Sequence, residues 1–148
     1  MKETVLITGA SSGFGYLITK TLLNRGYKVI STMRDTNSRN EKTAVELRQL
    51  GAKVIEMDVS SDESVSQTLN ETLIKVKKID VVINNAGLCA SGYLEEYTAE
   101  DFKKIFNVNV FGVQRVIRAL LPHFRANNSG SIINISSILG RVTLPFMG

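Results

Sequence analysis

The chain has 148 residues, 43% of them hydrophobic and 22% charged, which is the length and composition of one globular domain. This composition excludes a disordered chain, and without a long apolar run we expect neither a membrane protein nor a signal peptide, and a cytoplasmic location. The net charge of +4 is spread over several expected helix surfaces without interleaved aromatic residues, so nucleic acid is not an expected partner. The single cysteine, Cys89, excludes an internal disulfide, and no metal is expected.

Strands and helices are predicted to alternate along the chain. Short apolar runs predict strands at 4–8, 27–33, 52–57, 79–84 and 131–136. Capping residues and apolar periodicity predict helices after Ser12, at 40–50, after Ser61 and from about 98 to 125. With right-handed crossovers, this alternation predicts an α/β fold of the Rossmann type, a doubly wound parallel sheet with strand order 3-2-1-4-5 in one domain over residues 1–148.

A glycine-rich turn, with the spacing GxxxGxG, lies between the first strand and the first helix. Glycine permits positive φ and removes the β-carbon, so backbone N–H groups at the helix start can approach a phosphate, which the helix dipole also attracts. Gly15 has a separate expected role, because its missing side chain lets the helix pack closely on the strand. The turn is therefore predicted to bind nucleotide phosphates through Gly9, Ser11, Ser12, Gly13, Phe14 and Gly15.

The end of the second strand is where such folds select their cofactor. An acidic residue there would bind the ribose hydroxyls of NAD, whereas an arginine would pair with the additional phosphate of NADP. Arg34 directly follows the strand and favours NADP. Asp35 lies twenty residues beyond Gly15 and favours NAD, which remains the alternative.

Polar residues also end the third, fourth and fifth strands, at the same edge of the sheet. Asp58 could accept a hydrogen bond from an adenine amino group, or cap the turn at Ser60. Asn84 and Asn85 are poor strand residues, so hydrogen bonds to backbone and ligand explain them better than packing. The serines at 136–137 could donate a hydrogen bond to a carbonyl substrate.

The long helix carries an asparagine within its apolar face, which comprises Phe102, Ile105, Phe106, Val113, Val116, Ile117, Leu120 and Phe124. The polar groups of a buried Asn109 must form hydrogen bonds. These bonds either tie the helix to the sheet or hold a water molecule at the strand ends. Val108 and Phe111 lie off this face and indicate packing of a second helix or subunit, so we expect a homo-oligomer through residues 99–125 in the complete protein. Pro122 should kink or fray the end of the helix.

These motifs, taken in order, resemble the short-chain dehydrogenase/reductase family from Thr4 to Gly148. The resemblance rests on the turn Thr8–Gly15, on Asp58-Val59, on Asn85-Ala86-Gly87, and on Asn109 and Ser137. The end of the second strand is similar to NADP-preferring members, which supports Arg34 over Asp35.

The resemblance implies hydride transfer between NADP(H), with NAD(H) as the less favoured cofactor, and a small-molecule carbonyl or alcohol substrate. Ser137 would orient the substrate oxygen, and Asn109 would hold a water in the proton relay. A tyrosine would exchange the substrate proton, and a lysine four residues later would lower the tyrosine pKa. Cofactor contacts are implied for the glycine turn and for Arg34, Asp58, Val59, Asn85, Ala86 and Gly87.

No tyrosine or lysine follows Ser137 in this chain. The resemblance implies that the chain ends before the YxxxK motif and before strands 6 and 7, so we predict that the 148-residue chain is inactive alone. Tyr16 and Lys20 have the YxxxK spacing, but they lie beside the cofactor turn and are interpreted as a coincidence. The alternative function is a catalytically inactive module that binds a nucleotide or a protein partner.

Strands 4 and 5 are predicted to be covered by helices on one face only, because both crossovers that precede them lie on the same side of the sheet. Their apolar runs at 81–83 and 132–135, and the free edge of strand 5, predict association or aggregation.

Overall fold

A five-stranded parallel sheet forms the centre of the computed structural model, which describes residues 2–142 and 144–146. Its strand order is β3-β2-β1-β4-β5, so the predicted order is confirmed. Leu6 stands level with Ile30 and Val82 in the neighbouring strands, and Val82 with Ile132. The strands are β1 Thr4–Thr8, β2 Lys28–Met33, β3 Lys53–Glu56, β4 Val81–Asn84 and β5 Ser131–Asn134.

Helices connect the strands at the predicted places. They are α1 Gly13–Asn24, α2 Glu41–Gln49, α3 Asp62–Val76, α4 Ala99–Phe106 and α5 Val113–Ala126. The Ser61 side chain accepts a hydrogen bond from the backbone N–H of Ser64, and Thr98 and Asp101 form a reciprocal capping box. Local sequence therefore fixes where α3 and α4 begin.

The sheet is packed on both faces as far as β4. Val82 belongs to the layer that α3 and α5 cover, whereas Ile83 lies in the opposite layer with Ile18 and Leu22 of α1. The prediction that strand 4 is covered on one face only is therefore wrong, because α1 also packs against the cluster that contains Ile83. In contrast, all four residues of β5 are exposed, with Ile133 46% exposed.

A π-helical turn, Asn107–Gly112, joins α4 to α5 within the predicted long helix. A π turn shifts the following side chains around the helix axis, because its hydrogen bonds span five residues instead of four. Val108 and Gly112 are consequently buried, and Asn109 is exposed. The expectations that Asn109 shares the buried face and that Val108 lies off it are therefore wrong.

Helix α5 runs through Pro122 and ends at Ala126, so the frayed end expected from the proline is not found. A proline removes one backbone hydrogen bond from a helix. Val116, Leu120 and Phe124 are buried on both sides of Pro122, and their packing keeps the last turn helical. Within residues 2–142 and 144–146, no helix is both long and apolar enough to cross a membrane.

Candidate functional site

A cleft of about 460 Å³ lies at the carboxyl ends of the central strands. Most of the predicted site residues line it, namely Gly9, Ser11, Ser12, Phe14, Arg34, Asp58, Val59, Asn85, Ala86 and Gly87. Gly13, Gly15, Asn109 and Ser137 do not line it. Other lining residues, absent from the predicted set, are Met33, Asp35, Arg39, Asn40, Met57, Leu88 and Val108.

Two glycines of the turn allow backbone segments to approach each other where a side chain would not fit. Gly9 has a φ of +69°, and a β-carbon added there would lie 2.6 Å from Cα of Ala86. A β-carbon added at Gly15 would lie 2.5 Å from Nδ2 of Asn85. The close approach predicted for Gly15 is therefore made to the turn and to the end of β4, and it holds α1 against the cleft wall.

Hydrogen bonds between Asn85, Ala86 and Thr8 join the glycine turn to the end of β4. Nδ2 of Asn85 donates to the carbonyl oxygens of Thr8 and Gly9, at 2.9 and 3.0 Å. The buried Thr8 hydroxyl accepts from the backbone N–H groups of Asn85 and Ala86, each at 3.0 Å. Asn84 Nδ2 donates to Asn134 Oδ1 at 2.8 Å across β4 and β5. Hydrogen bonding thus accounts for Asn85, whereas the buried Oδ1 of Asn84 has no hydrogen-bond partner among the described residues.

The segment after β2 forms a closed turn that carries arginines into the cleft. The carbonyl of Asp35, which has a φ of +53°, accepts from the backbone N–H groups of Ser38 and Asn40 at 3.2 and 3.0 Å. Nδ2 of Asn40 donates to the Arg34 carbonyl at 2.8 Å. Because the turn closes on itself, Arg39 lines the same cleft as Arg34.

A carboxylate of β3 holds this turn from outside the cleft. Oε2 of Glu56 accepts from the backbone N–H and the hydroxyl of Thr36, at 3.2 and 2.6 Å. The Thr36 hydroxyl, which is the largest influence, lowers the pKa of Glu56 below its ordinary value. Thr36 is 3% exposed and Glu56 is exposed, so a partly buried contact fixes the position of the turn.

Asp58 lines the cleft with one oxygen already engaged. Its Oδ1 accepts from the backbone N–H and the hydroxyl of Ser60, at 2.9 and 2.7 Å. The turn-capping interpretation of Asp58 therefore holds in the structure. An adenine contact stays a prediction for the second oxygen.

Asn109 lies outside the cleft but holds part of its wall. Its Oδ1 accepts from the backbone N–H of Leu88, and its Nδ2 donates to the Leu88 carbonyl, both at 2.8 Å. Leu88 lines the cleft. The side chain thus ties the π turn to the loop after β4 rather than to the sheet.

Ser137 follows β5 and is exposed. Its hydroxyl accepts a hydrogen bond from the backbone N–H of Leu139 at 3.1 Å, which caps the short 3₁₀ turn Ile138–Gly140. The hydroxyl hydrogen stays available to a substrate oxygen, because the hydroxyl acts only as an acceptor in this contact.

Tyr16 and Lys20 form a group with Glu46 that links α1 to α2. The Tyr16 hydroxyl donates to Glu46, and Lys20 Nζ lies 3.0 Å from the Tyr16 oxygen and 3.4 Å from the Glu46 carboxylate. The hydrogen bond to Tyr16, followed by that to Glu46, raises the pKa of Lys20. None of the three residues lines the cleft.

Two residues of the cleft, Arg39 and Leu88, were not predicted from the sequence, and neither was the structural role of Thr8. Thr8 was named only as the first residue of the turn, although a hydroxyl residue at the end of a buried strand could have indicated that role. Arg39 could have been noticed as a second arginine between β2 and α2. Leu88 gave no signal, because its contact with Asn109 is made through its backbone.

The family model described as short chain dehydrogenase matches residues 3–148. The chain belongs to the short-chain dehydrogenase family. It is 36% identical over 146 residues to a 3-ketodihydrosphingosine reductase of Bacteroides thetaiotaomicron, a match that covers 99% of this chain and 51% of that protein. This short-chain dehydrogenase chain thus spans about half the length of that curated relative.

Solved structures of the same family match the fold. A Burkholderia phymatum short chain dehydrogenase/reductase in complex with NAD has a TM-score of 0.88 and 33% identity, and the match covers 99% of this chain and 53% of that one. ElxO with NADP bound has a TM-score of 0.87 and 33% identity, over 99% of this chain and 60% of that one. Solved structures similar to this chain thus hold either nicotinamide cofactor, NAD in one and NADP in the other.

Proposed function

We propose that the cleft binds NADP(H), and that the complete protein is an NADP(H)-dependent oxidoreductase acting on a small-molecule carbonyl or alcohol. The observation that carries this proposal is that the glycine turn and Arg34 line one cleft. Backbone N–H groups at the start of α1 would bind the pyrophosphate, and Arg34 would pair with the 2′-phosphate that distinguishes NADP from NAD. Family members solved with NAD and with NADP support a nicotinamide dinucleotide.

The residues present in the cleft fit such a dinucleotide. Gly9, whose positive φ and missing side chain let the turn pack against Ala86, lines the cleft, and Ser11 and Ser12 offer hydroxyl groups beside it. Asp58 and Val59 would contact the adenine from the end of β3. Asn85, Ala86 and Gly87 line the cleft at the end of β4 and would contact the rest of the cofactor.

The substitution Arg34→Asp tests the cofactor preference. A carboxylate in place of the guanidinium would repel the 2′-phosphate, so we expect the Kd for NADP+ to rise at least about tenfold relative to that for NAD+. Isothermal titration calorimetry with both nucleotides measures the ratio. An unchanged ratio would show that Arg34 does not select the cofactor.

Asp35→Asn is the companion variant, because asparagine tolerates the positive φ at this position. We expect the Kd for NAD+ to stay within about twofold of the original value, since the proposed site does not use the Asp35 carboxylate. A selective loss of NAD+ affinity would assign the ribose contact to Asp35 and favour NAD instead.

The nicotinamide would supply the hydride, and residues of this chain would orient the substrate. The Ser137 hydroxyl would donate a hydrogen bond to the substrate oxygen, and Asn109 would hold a water of the proton relay. Proton exchange requires a tyrosine with a lysine four residues later. Tyr16 is not the proposed donor, because its hydroxyl is engaged by Glu46 away from the cleft.

The sequence encoded downstream of Gly148 distinguishes this proposal from an inactive nucleotide- or partner-binding module, because both predict that the 148-residue chain alone is inactive. We propose that the chain alone shows no substantial NADPH oxidation with carbonyl substrates, whereas a tyrosine and a lysine four residues later are encoded downstream of Gly148. A downstream sequence without that pair would remove the enzyme assignment, and turnover by the chain alone would contradict the proposed need for it.

A further inference from the structure

We propose that Arg39 is a second phosphate-binding residue, which together with Arg34 would hold the 2′-phosphate of NADP(H) between two guanidinium groups. This role of Arg39 rests on the proposed preference for NADP(H). It goes beyond that preference because it assigns recognition of the phosphate to a turn rather than to one residue at the strand end.

The closed turn brings Arg39 back to the end of β2. The Asp35 carbonyl accepts the N–H of Asn40 at 3.0 Å, and the Asn40 side chain reaches the Arg34 carbonyl at 2.8 Å. These bonds link both ends of the turn on either side of Arg39. The two arginines therefore line the same cleft although they are five residues apart.

Contacts within the protein hold the turn in this form. Thr36 is 3% exposed, and its backbone N–H and hydroxyl both donate to Glu56. Asn40 stands at the N-cap position of α2 without a side-chain cap hydrogen bond, and its Nδ2 donates instead to the Arg34 carbonyl. A backbone fixed in advance reduces the entropy cost of ordering the two arginines around an anion.

Both guanidinium groups remain free to bind an anion. Neither Arg34 nor Arg39 is within 4.0 Å of a carboxylate oxygen in the described ranges 2–142 and 144–146. By contrast, Arg115 and Arg118 both pair with Asp62. Paired N–H donors on a planar guanidinium match two oxygens of a phosphate, and two such groups can engage all its terminal oxygens.

The test compares Arg39→Gln with Arg34→Gln and with Arg48→Gln, an exposed arginine of α2 that does not line the cleft. Each glutamine variant removes one positive charge. Arg48→Gln therefore controls for the effect of that loss on the electrostatic potential of the whole protein. Titration calorimetry gives the Kd of each variant for NADP+ and for NAD+, and thermal unfolding confirms that each is folded. Arg39→Lys additionally tests whether the ammonium charge of lysine can replace the paired N–H donors of the guanidinium group.

We expect Arg39→Gln to raise the Kd for NADP+ about tenfold and that for NAD+ less than twofold, with Arg39→Lys in between. Arg48→Gln should change neither. If Arg34→Gln lowers selectivity but Arg39→Gln behaves like Arg48→Gln, the role of Arg39 is wrong and the proposed cofactor preference stands. Equal losses for both nucleotides in Arg39→Gln would also overturn it, and unchanged selectivity in all variants would refute the NADP preference itself.

Discussion

At the residue scale, the cleft depends on the hydroxyl of Thr8, a buried residue that does not itself line the cleft. Thr8 is 1% exposed and accepts hydrogen bonds from two consecutive backbone N–H groups, those of Asn85 and Ala86. It therefore fixes the end of β4 beside the glycine turn. A buried donor that loses its acceptor costs more than the hydrogen bond contributes, because the group is desolvated in either case.

Replacing Thr8 by valine keeps the shape of the side chain and removes the acceptor. We expect Thr8→Val to lower the free energy of unfolding by about 1–3 kcal/mol, measured by urea denaturation. Thr8→Ser is the matched control, since it keeps the hydroxyl and loses only a methyl group. A valine variant as stable as the serine variant would show that the two N–H groups do not depend on Thr8.

Residues that act through side-chain chemistry in a local motif were predictable from the sequence. Arg34, Asp58 and Asn85 line the cleft, as do Gly9, Ser11, Ser12 and Phe14 of the glycine turn. Arg39 was not predicted, because its place depends on how the turn after β2 closes, and the positive φ of Asp35 cannot be read from an aspartate alone.

At the element scale, the π turn Asn107–Gly112 decides which side of the long helix meets the cleft. Arg115 Nη1 donates to the Asn107 carbonyl at 3.0 Å and to the Val59 carbonyl at 3.3 Å, while its Nε lies 3.0 Å from Asp62. The hydrogen bond from Arg115 is the largest influence that lowers the pKa of Asp62. One side chain therefore ties the π turn to the segment that carries the β3 side of the cleft.

Arg115→Met should destabilise the protein by about 1–3 kcal/mol, because it leaves two backbone carbonyls without this donor. Arg118→Met is the control: it also loses an ion pair to Asp62, but its side chain is 62% exposed, so we expect a loss below about 1 kcal/mol. Urea denaturation of the two variants measures the difference. Equal losses would assign the effect to the ion pair and not to the π turn.

The order and type of the helices and strands could be predicted from the sequence. Which side chains of the last long helix are buried could not. Apolar periodicity near 3.6 residues placed Asn109 on the buried face, and the π turn rotated it to the surface. Its cause is tertiary, since Gly112 fits closely against Val59 and Arg115 binds the Asn107 carbonyl. Neither contact is visible from local periodicity.

At the scale of the whole molecule, most of the sheet is covered by helices, whereas its edge at β5 is exposed to solvent. Strands β1 to β4 are packed between helices, while Ile132, Ile133 and Ile135 at the β5 edge are between 38% and 46% exposed. Phe106 and Phe111 of the long helix are also exposed, at 49% and 52%. The homo-oligomer through residues 99–125 stays a prediction, as does association through the strand edge.

The cleft is lined by residues at the ends of the packed strands β1 to β4 and not by β5, so nucleotide binding can be tested in the 148-residue chain. The most direct measurement is a titration of the ¹⁵N-labelled 148-residue chain with NADPH, followed by amide chemical shifts. We predict saturable shifts confined to the glycine turn, the turn after β2, and the ends of β3 and β4, with weaker binding of NADH. Shifts that avoid these four segments, or none at all, would contradict the assignment of the cleft as an NADP(H) site.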